Sequence, residues 1–340
     1  MQRPESNDNA ISGRVTPEFA VIAKHFDRPA TRALVGVGDD CALWLPTAGQ
    51  ALAVSTDTLV SGVHFFASVD PAKLGHKALA VNLSDLAAMG ATPRCFTLAL
   101  TIPSVDDSWL AGFAAGLFTL AAQHNIELVG GDTTRGPLAI SITVVGEVDP
   151  STALRRDRAC VGDDIWVSGD LGGAALALGR LGPNGDNPDV SATLLEKLEL
   201  PQPRIALGIA LCGIGHSAID ISDGLVADLG HIAQRSGLRA TLLWKDIPRH
   251  PALVDEAGSV QQACVLAGGD DYELCFSASV ASRPAILAIA QSVGVPLSRI
   301  GLFSPGEAGV DVIDMDGNRL VLPTRGFDHF SAEPVAPNEA

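Results

Sequence analysis

Short apolar runs of strand length alternate with amphipathic stretches of helical length along almost the whole chain, and the alternation breaks once, at Asp149-Pro150-Ser151-Thr152. A chain built this way must bury one face of each helix against a sheet, so both halves read as α/β (α+β) units that meet at this turn. The expected division is 1–150 and 151–340. In the first half, Thr16-Pro17-Glu18 offers an N-cap and a proline at the first helical position of a helix reaching Phe26. Asp70-Pro71 opens a longer helix that closes at Gly90, with Leu74, Ala78, Val81, Leu86 and Met89 near helical spacing. A third helix, over 106–125, places Leu110, Phe113, Leu117 and Leu120 on one face. Strands are expected over 51–56, 94–103, 126–129 and 138–148. In the second half strands are expected over 165–168, 218–221, 272–277 and 310–313, and helices over 173–181, 204–212, 225–236 and 281–293. An exposed loop is expected over 183–188.

The chain has 340 residues, enough for two ordinary domains, and 47% of them are hydrophobic, which excludes a disordered chain. With 39 acidic and 23 basic residues its net charge is -16. Such a chain has no broad basic face for nucleic acid. An anionic ligand must be received locally, by a few Arg or Lys, by backbone N–H groups, or by metal ions held on carboxylates. The six cysteines form no C-x-x-C pair and several lie in apolar runs, as buried free thiols of a reducing cytoplasm do. Residues 1–13 are polar and lack the apolar core of a signal peptide, and the longest apolar segment, 109–122, is too short to span a bilayer. The expectation is a cytoplasmic protein without a membrane partner.

Several common chemistries lack their signals. There is no G-x-x-x-x-G-K-[ST] loop, no H-E-x-x-H helix and no G-x-S-x-G elbow, and Cys41 stands where a dinucleotide fingerprint begun at Gly36-x-Gly38 would need its third glycine. What remains is a set of aspartates at Gly-rich turns and strand ends: Asp39, Asp40, Asp57, Asp132, Asp220, Asp223, Asp270 and Asp271, with Asp85 inside a helix amid apolar residues. Any one of them alone reads as a turn or N-cap residue. Gly162-Asp163-Asp164, which leads straight into an apolar strand, reads as a plain turn, and Ser222-Asp223-Gly224 before a helix reads equally as an N-cap or a phosphate contact. Together, hard carboxylate oxygens without clustered His or Cys suit Mg²⁺ rather than zinc. Mg²⁺ is shared between a few carboxylates and substrate phosphates, so an acidic protein can still receive a polyphosphate.

The motifs resemble those of the thiamine-monophosphate kinase family, within the superfamily that also holds aminoimidazole ribonucleotide synthetase and selenophosphate synthetase. The matching stretches are G-V-G-D-D-C-A from Gly36, S-T-D-T-L-V-S-G-V-H-F from Ser55, K-A-L-A-V-N-L-S-D-L-A-A-M-G-A from Lys77 and G-G-D-T-T-R-G from Gly130. They continue with A-I-D-I-S-D-G-L from Ala218, G-G-D-D-Y-E-L-C-F from Gly268 and G-F-D-H-F from Gly326. They fall in order from about Thr16 to Phe330.

The resemblance implies an aminoimidazole ribonucleotide synthetase-like fold of two domains. The N-terminal one binds ATP and Mg²⁺ and pairs its strands with a second subunit in a dimer barrel, and the C-terminal one closes the site. It implies transfer of the γ-phosphoryl group of ATP to thiamine monophosphate by a homodimer using several Mg²⁺ ions. Carried over residue by residue, it assigns metal ligation to Asp40, Ser55 or Thr56, Asp57, Asp85, Asp132, Asp220 and Asp223. ATP contacts fall on Gly131, Asp132, Arg156 and Ser222, and thiamine-phosphate contacts on His64, Asp270 and Phe327. At Asp270 the family usually carries Glu. A phosphate monoester loses its second proton near pKa ~6, so the acceptor oxygen is a nucleophile without a protein base, and no catalytic side chain is nominated. Two other readings fit the same fold: another ATP-dependent member of the superfamily, such as a ribonucleotide cyclo-ligase, and a non-catalytic nucleotide or metal sensor. His64 and G-F-D-H-F favour the kinase over the first, and the complete aspartate set argues against the second.

Overall fold

The computed structural model describes residues 17–321 and Gly326. Phe327 lies outside the described residues. Within them the chain runs α1 (Pro17–Val21), β1 (Ala51–Val60), α2 (Pro71–Met89), β2 (Thr92–Ile102), α3 (Asp107–Gln123), β3 (Glu127–Arg135) and β4 (Ala139–Val148). It continues β5 (Asp164–Ser168), α4 (Gly173–Leu181), α5 (Ala192–Glu199), α6 (Ile205–Leu211), β6 (Ser217–Asp220), α7 (Leu225–Ser236) and β7 (Arg239–Leu243). The remaining elements are α8 (Gly258–Gln262), β8 (Leu274–Ala278), α9 (Arg283–Val293), β9 (Leu297–Ser304) and β10 (Gly309–Ile313).

Two sheets result. The first has four strands in the order β1-β4-β2-β3, antiparallel except for the parallel pair β2/β3. That parallel pair needs a crossover, which α3 supplies. The second has six strands in the order β10-β7-β9-β5-β8-β6, with only β10/β7 parallel. β5 and β8 are buried on both faces. Trp166, Leu274 and Phe276 turn into the core shared with the first sheet, whereas Ile165, Val167 and Cys275 turn into a second core under α4 and α7. Side chains alternate along a strand, so one sheet divides the two cores.

Helix α2 joins the halves. Asp70 caps it by accepting from the amides of Ala72 and Lys73, and Gly90 ends it at φ 69. It packs on the first sheet and on α3, α6 and β6, so it is buried nearly all round. The crossing with α3 is close enough that a Cβ on Gly116 would lie 1.8 Å from the carbonyl oxygen of Ala72, and only glycine fits.

Most expected elements form, with differences at their ends. β1 runs on to Val60, so Asp57 lies within a strand rather than after it, and β3 runs through Asp132 to Arg135 because β2 pairs with it along that length. α5, β7, α8 and β9 are not among the elements the sequence predicts. Asp163 and Asp164 are more than a plain turn. Both are buried; Asp164 accepts from the Arg283 guanidinium at 2.6 and 2.7 Å, and Asp163 takes the Ser277 hydroxyl and the His216 ring. All six cysteines are free thiols, but only Cys95 and Cys275 are buried, and Cys41 and Cys160 are exposed. No helix among the described residues is long and apolar enough to cross a membrane.

Candidate active site

A cavity of about 1250 Å³ opens between the first sheet and the second. β1 supplies Thr56 and Asp57 to its wall, the turn after it His64, and α2 Lys73, Lys77, Val81 and Asp85. These four α2 residues are spaced by four, so they form one stripe along the helix, about 18 Å from end to end, cationic at one end and anionic at the other. The second half supplies Asp220 at the end of β6, Ser222 and Asp223 before α7, and Asp270 and Tyr272 before β8. Eight of the residues implicated from the sequence therefore face one space: Thr56, Asp57, His64, Asp85, Asp220, Ser222, Asp223 and Asp270. Ser55 stands behind the wall and donates its hydroxyl to Asp85. Asp40 sits on an exposed turn, where its amide donates to the Asp39 carboxylate at 2.8 Å; Gly131 and Asp132 are exposed on β3. These three do not line the cavity. Neither does the exposed Arg156, although its charge reaches both Asp85 and Asp220 and draws their carboxyls down.

The carboxylates crowd one another. Burial, with the charges of Asp85 and Asp223 adding to it, pushes the Asp57 carboxyl up to about 6. Burial and the Asp85 charge push Asp220 up to about 8. Asp85 is itself raised by burial, against the Ser55 hydrogen bond and the Arg156 charge that favour its ionised form. Like charges gathered away from water repel, and a divalent cation between them relieves the repulsion. An all-oxygen, carboxylate-rich donor set is the kind that holds Mg²⁺.

The backbone around these groups is fixed by residues that sequence reasoning did not single out. Asn82 accepts the Asp57 amide at 3.0 Å while donating to the Ala78 carbonyl, which locks β1 to α2. Asp228, in the first turn of α7, accepts the amides of Ser222, Asp223 and Gly224 on one oxygen at 3.0 to 3.1 Å. Neither Ser222 nor Asp223 caps α7; Asp228 reaches back to do so, and the loop is held with Ser222 and Asp223 on the cavity wall. The only signal in the sequence was an acidic residue in a first helical turn, too common to single out. The Asp270 amide donates to the Ser222 carbonyl at 2.9 Å, and a Cβ on Gly269 would lie 2.1 Å from that oxygen. The S-D-G and G-G-D-D motifs are thus laid against each other by their backbones. Asp270 and Tyr272 adopt left-handed backbones, φ 66 and 49, which non-glycine residues avoid. Lys77, also missed, donates to Asp270 Oδ2 at 3.1 Å. At His64 the ring Nδ1 accepts the Val60 amide at 3.0 Å, which leaves the ring proton on Nε2.

A pH dependence follows. Burial also lifts Asp228, to about 7, with the Asp223 charge adding to it. For Asp57, Asp220 and Asp228 the folded value lies above the unfolded 3.8, so the folded state holds their protons more tightly. Their contribution to stability is full below the unfolded value and is lost as pH rises through 6 to 8. In EDTA the thermal midpoint is expected to fall between about pH 6 and about pH 8.5, and added Mg²⁺ to raise it more at the higher pH, because ligation needs the ionised carboxylates. A midpoint flat across that range, with or without Mg²⁺, would contradict the crowding.

Two sheets enclosing an acidic cavity, with carboxylates at one end and a buried lysine paired with Asp270 toward the other, define a class. Residues 38–148 match the family model of the AIR synthase related protein, N-terminal domain. Over the longer span the likeness narrows. The thiamine-monophosphate kinase of Salmonella typhimurium is 43% identical over 323 residues, covering 92% of this chain and 98% of that one. The chain belongs to the thiamine-monophosphate kinase family. Among solved structures, the thiamine-monophosphate kinase of Stenotrophomonas maltophilia K279a superposes with a TM-score of 0.79 at 47% identity, over 88% of this chain and 96% of that one. The complex of AaThiL with AMPPCP and TMP superposes with a TM-score of 0.74 at 30% identity, over 84% of this chain and 89% of that one.

Proposed function

We propose that this chain transfers the γ-phosphoryl group of ATP to thiamine monophosphate, giving thiamine diphosphate and ADP. The observation that carries the reading is the 43% identity to a thiamine-monophosphate kinase over 92% of the chain. The cavity supports it by gathering Asp57, Asp85, Asp220 and Asp223 with His64 and Asp270 around one space. The acceptor brings its own nucleophile, an ionised phosphate oxygen, so no protein base is needed. The barrier is the approach of two polyanions. Asp57, Asp85, Asp220 and Asp223 would hold Mg²⁺ within the cavity, with Ser55 and Thr56 beside them and Asp40 and Asp132 joining from their exposed turn and strand. Bound there, Mg²⁺ screens the phosphates and fixes their line of approach. Arg156, Ser222, Gly131 and Asp132 hold ATP, and His64, Asp270 and Phe327 hold the acceptor. His64 offers an Nε2–H donor and Asp270 an anion for the thiazolium. Incubation with ATP, Mg²⁺ and thiamine monophosphate, followed by chromatography, is expected to yield thiamine diphosphate in step with ADP. ATP consumed without that product would refute the reading.

In the same reading, residues 1–150 form the ATP- and metal-binding domain, residues 151–340 close the site, and the protein works in the cytoplasm as a homodimer. The dimer is supported by β1, an edge strand whose exposed face carries Leu52, 50% exposed, and Val54, 62% exposed, and continues through Thr56 and Thr58. An apolar edge of this kind is normally covered. Sedimentation at micromolar concentration is expected to give twice the chain mass, and Val54→Asp to give the chain mass. A wild-type monomer with full activity would remove the dimer from the account.

A further inference from the structure

Lys77 is the only lysine or arginine that is buried among the described residues, its side chain 5% exposed. It is not buried for stability. An ion pair barely offsets the cost of desolvating an ammonium so fully, and the partner carboxylate stands on a left-handed backbone, φ 66, at Asp270. The pair instead faces the cavity, two turns of α2 from Asp85, with Asp270 28% exposed toward that space. An internal cation and anion side by side are complementary, crosswise, to a ligand that carries both charges. Thiamine monophosphate is such a ligand, with a thiazolium ring and a phosphate on a short link. We infer that Lys77 is a substrate-binding residue that determines specificity for the acceptor: its ammonium takes the acceptor phosphate while Asp270 takes the thiazolium, so the substrate replaces an ion pair internal to the protein. This rests on the kinase reading and deepens it. It gives the protein a cationic contact with the acceptor phosphate that is independent of metal, and a reason for the α2 stripe to change sign along its length. Lys73, one turn away on the same stripe, is paired instead with Glu199 at 2.6 Å, which is not the anion placed against the thiazolium.

The test separates a contact with the phosphate from mere support of Asp270. Lys77→Met, Lys77→Gln and Lys77→Arg are compared with wild type in steady-state kinetics and in calorimetry with thiamine monophosphate and with unphosphorylated thiamine. The Met and Gln variants are expected to raise KM for thiamine monophosphate about tenfold or more, as loss of a hydrogen bond to a charged group does. KM for ATP is expected to stay within about twofold, and thiamine to bind as well as before or better, because Asp270 is released. Lys77→Arg, which keeps the charge, is expected to recover most of the loss. Should the Met variant not fold, the Gln variant carries the same comparison. Equal weakening of both ligands would reduce Lys77 to a support for Asp270 and overturn the inference, as would unchanged affinity for thiamine monophosphate. Wild-type protein that neither phosphorylates nor binds thiamine monophosphate would overturn the kinase reading and this inference with it.

Discussion

Asp85→Asn is expected to lower phosphoryl transfer about a hundredfold or more while leaving the protein folded, and in EDTA at least as stable as wild type. The two halves of this expectation come from one fact. Asp85 raises the carboxyls of both Asp57 and Asp220, so it is the charge through which the cluster repels itself. The amide keeps its shape and can still accept from the Ser55 hydroxyl, so the packing of α2 against β1 is preserved. What is lost is one negative charge at the place where divalent metal is proposed to sit. Removing it relieves repulsion in the metal-free protein and weakens metal binding. The rise in thermal midpoint on adding Mg²⁺ is therefore expected to shrink along with turnover. A structural aspartate behaves in the opposite way: its loss lowers the midpoint in EDTA and leaves turnover at saturating Mg²⁺ near normal. Turnover, the midpoint in EDTA and the Mg²⁺-induced rise, measured on one preparation, separate the two.

How far the sequence shows this site depends on whether each relation is local. The helix over 225–236 and the one over 173–181 form with the expected bounds, because capping and periodicity are local signals. The ends of β1 and β3 are set instead by partner strands distant in sequence, and both run past the expected points. β9 alternates poorly, with Arg299 and Leu302 exposed and Ile300 and Gly301 buried, so no period of two announces it. β7 begins at Arg239, two residues past the left-handed Gly237 that ends α7, where a turn reads more naturally than a strand. In the site, Asp223 and Asp270 stand out by their glycine neighbours and Asp85 by its apolar helix, yet nothing local shows which aspartates share one space. The pair Lys77–Asp270 spans 193 residues of sequence, and nothing near either residue announces the other. Asp228 hides for another reason. Its three backbone contacts are made to its own neighbours, but an acidic residue in a first helical turn is ordinary, and only the bend of the loop reveals what it holds.

The second large effect expected is on ATP. In Mg²⁺ a non-hydrolysable ATP analogue is expected to bind measurably, and in EDTA to lose about a hundredfold or more in affinity. The cavity wall carries Asp57, Asp85, Glu199, Asp220, Asp223 and Asp270 against Lys73 and Lys77, and both lysines are already paired with carboxylates. Arg156 adds one cation from outside the wall, and the net charge of the whole chain is -16. No Walker loop supplies a nest of amides for the phosphates. A triphosphate entering this field without divalent metal meets like charge at short range. There water is partly excluded, and monovalent salt screens little. The sign of the dependence also tells the two phosphates apart. If Lys77 receives the acceptor, thiamine monophosphate is expected to keep much of its affinity in EDTA while the ATP analogue does not. Equal affinity of the analogue in Mg²⁺ and EDTA would mean that the protein has its own cationic or amide cradle for the triphosphate. The carboxylate cluster would then need a different explanation.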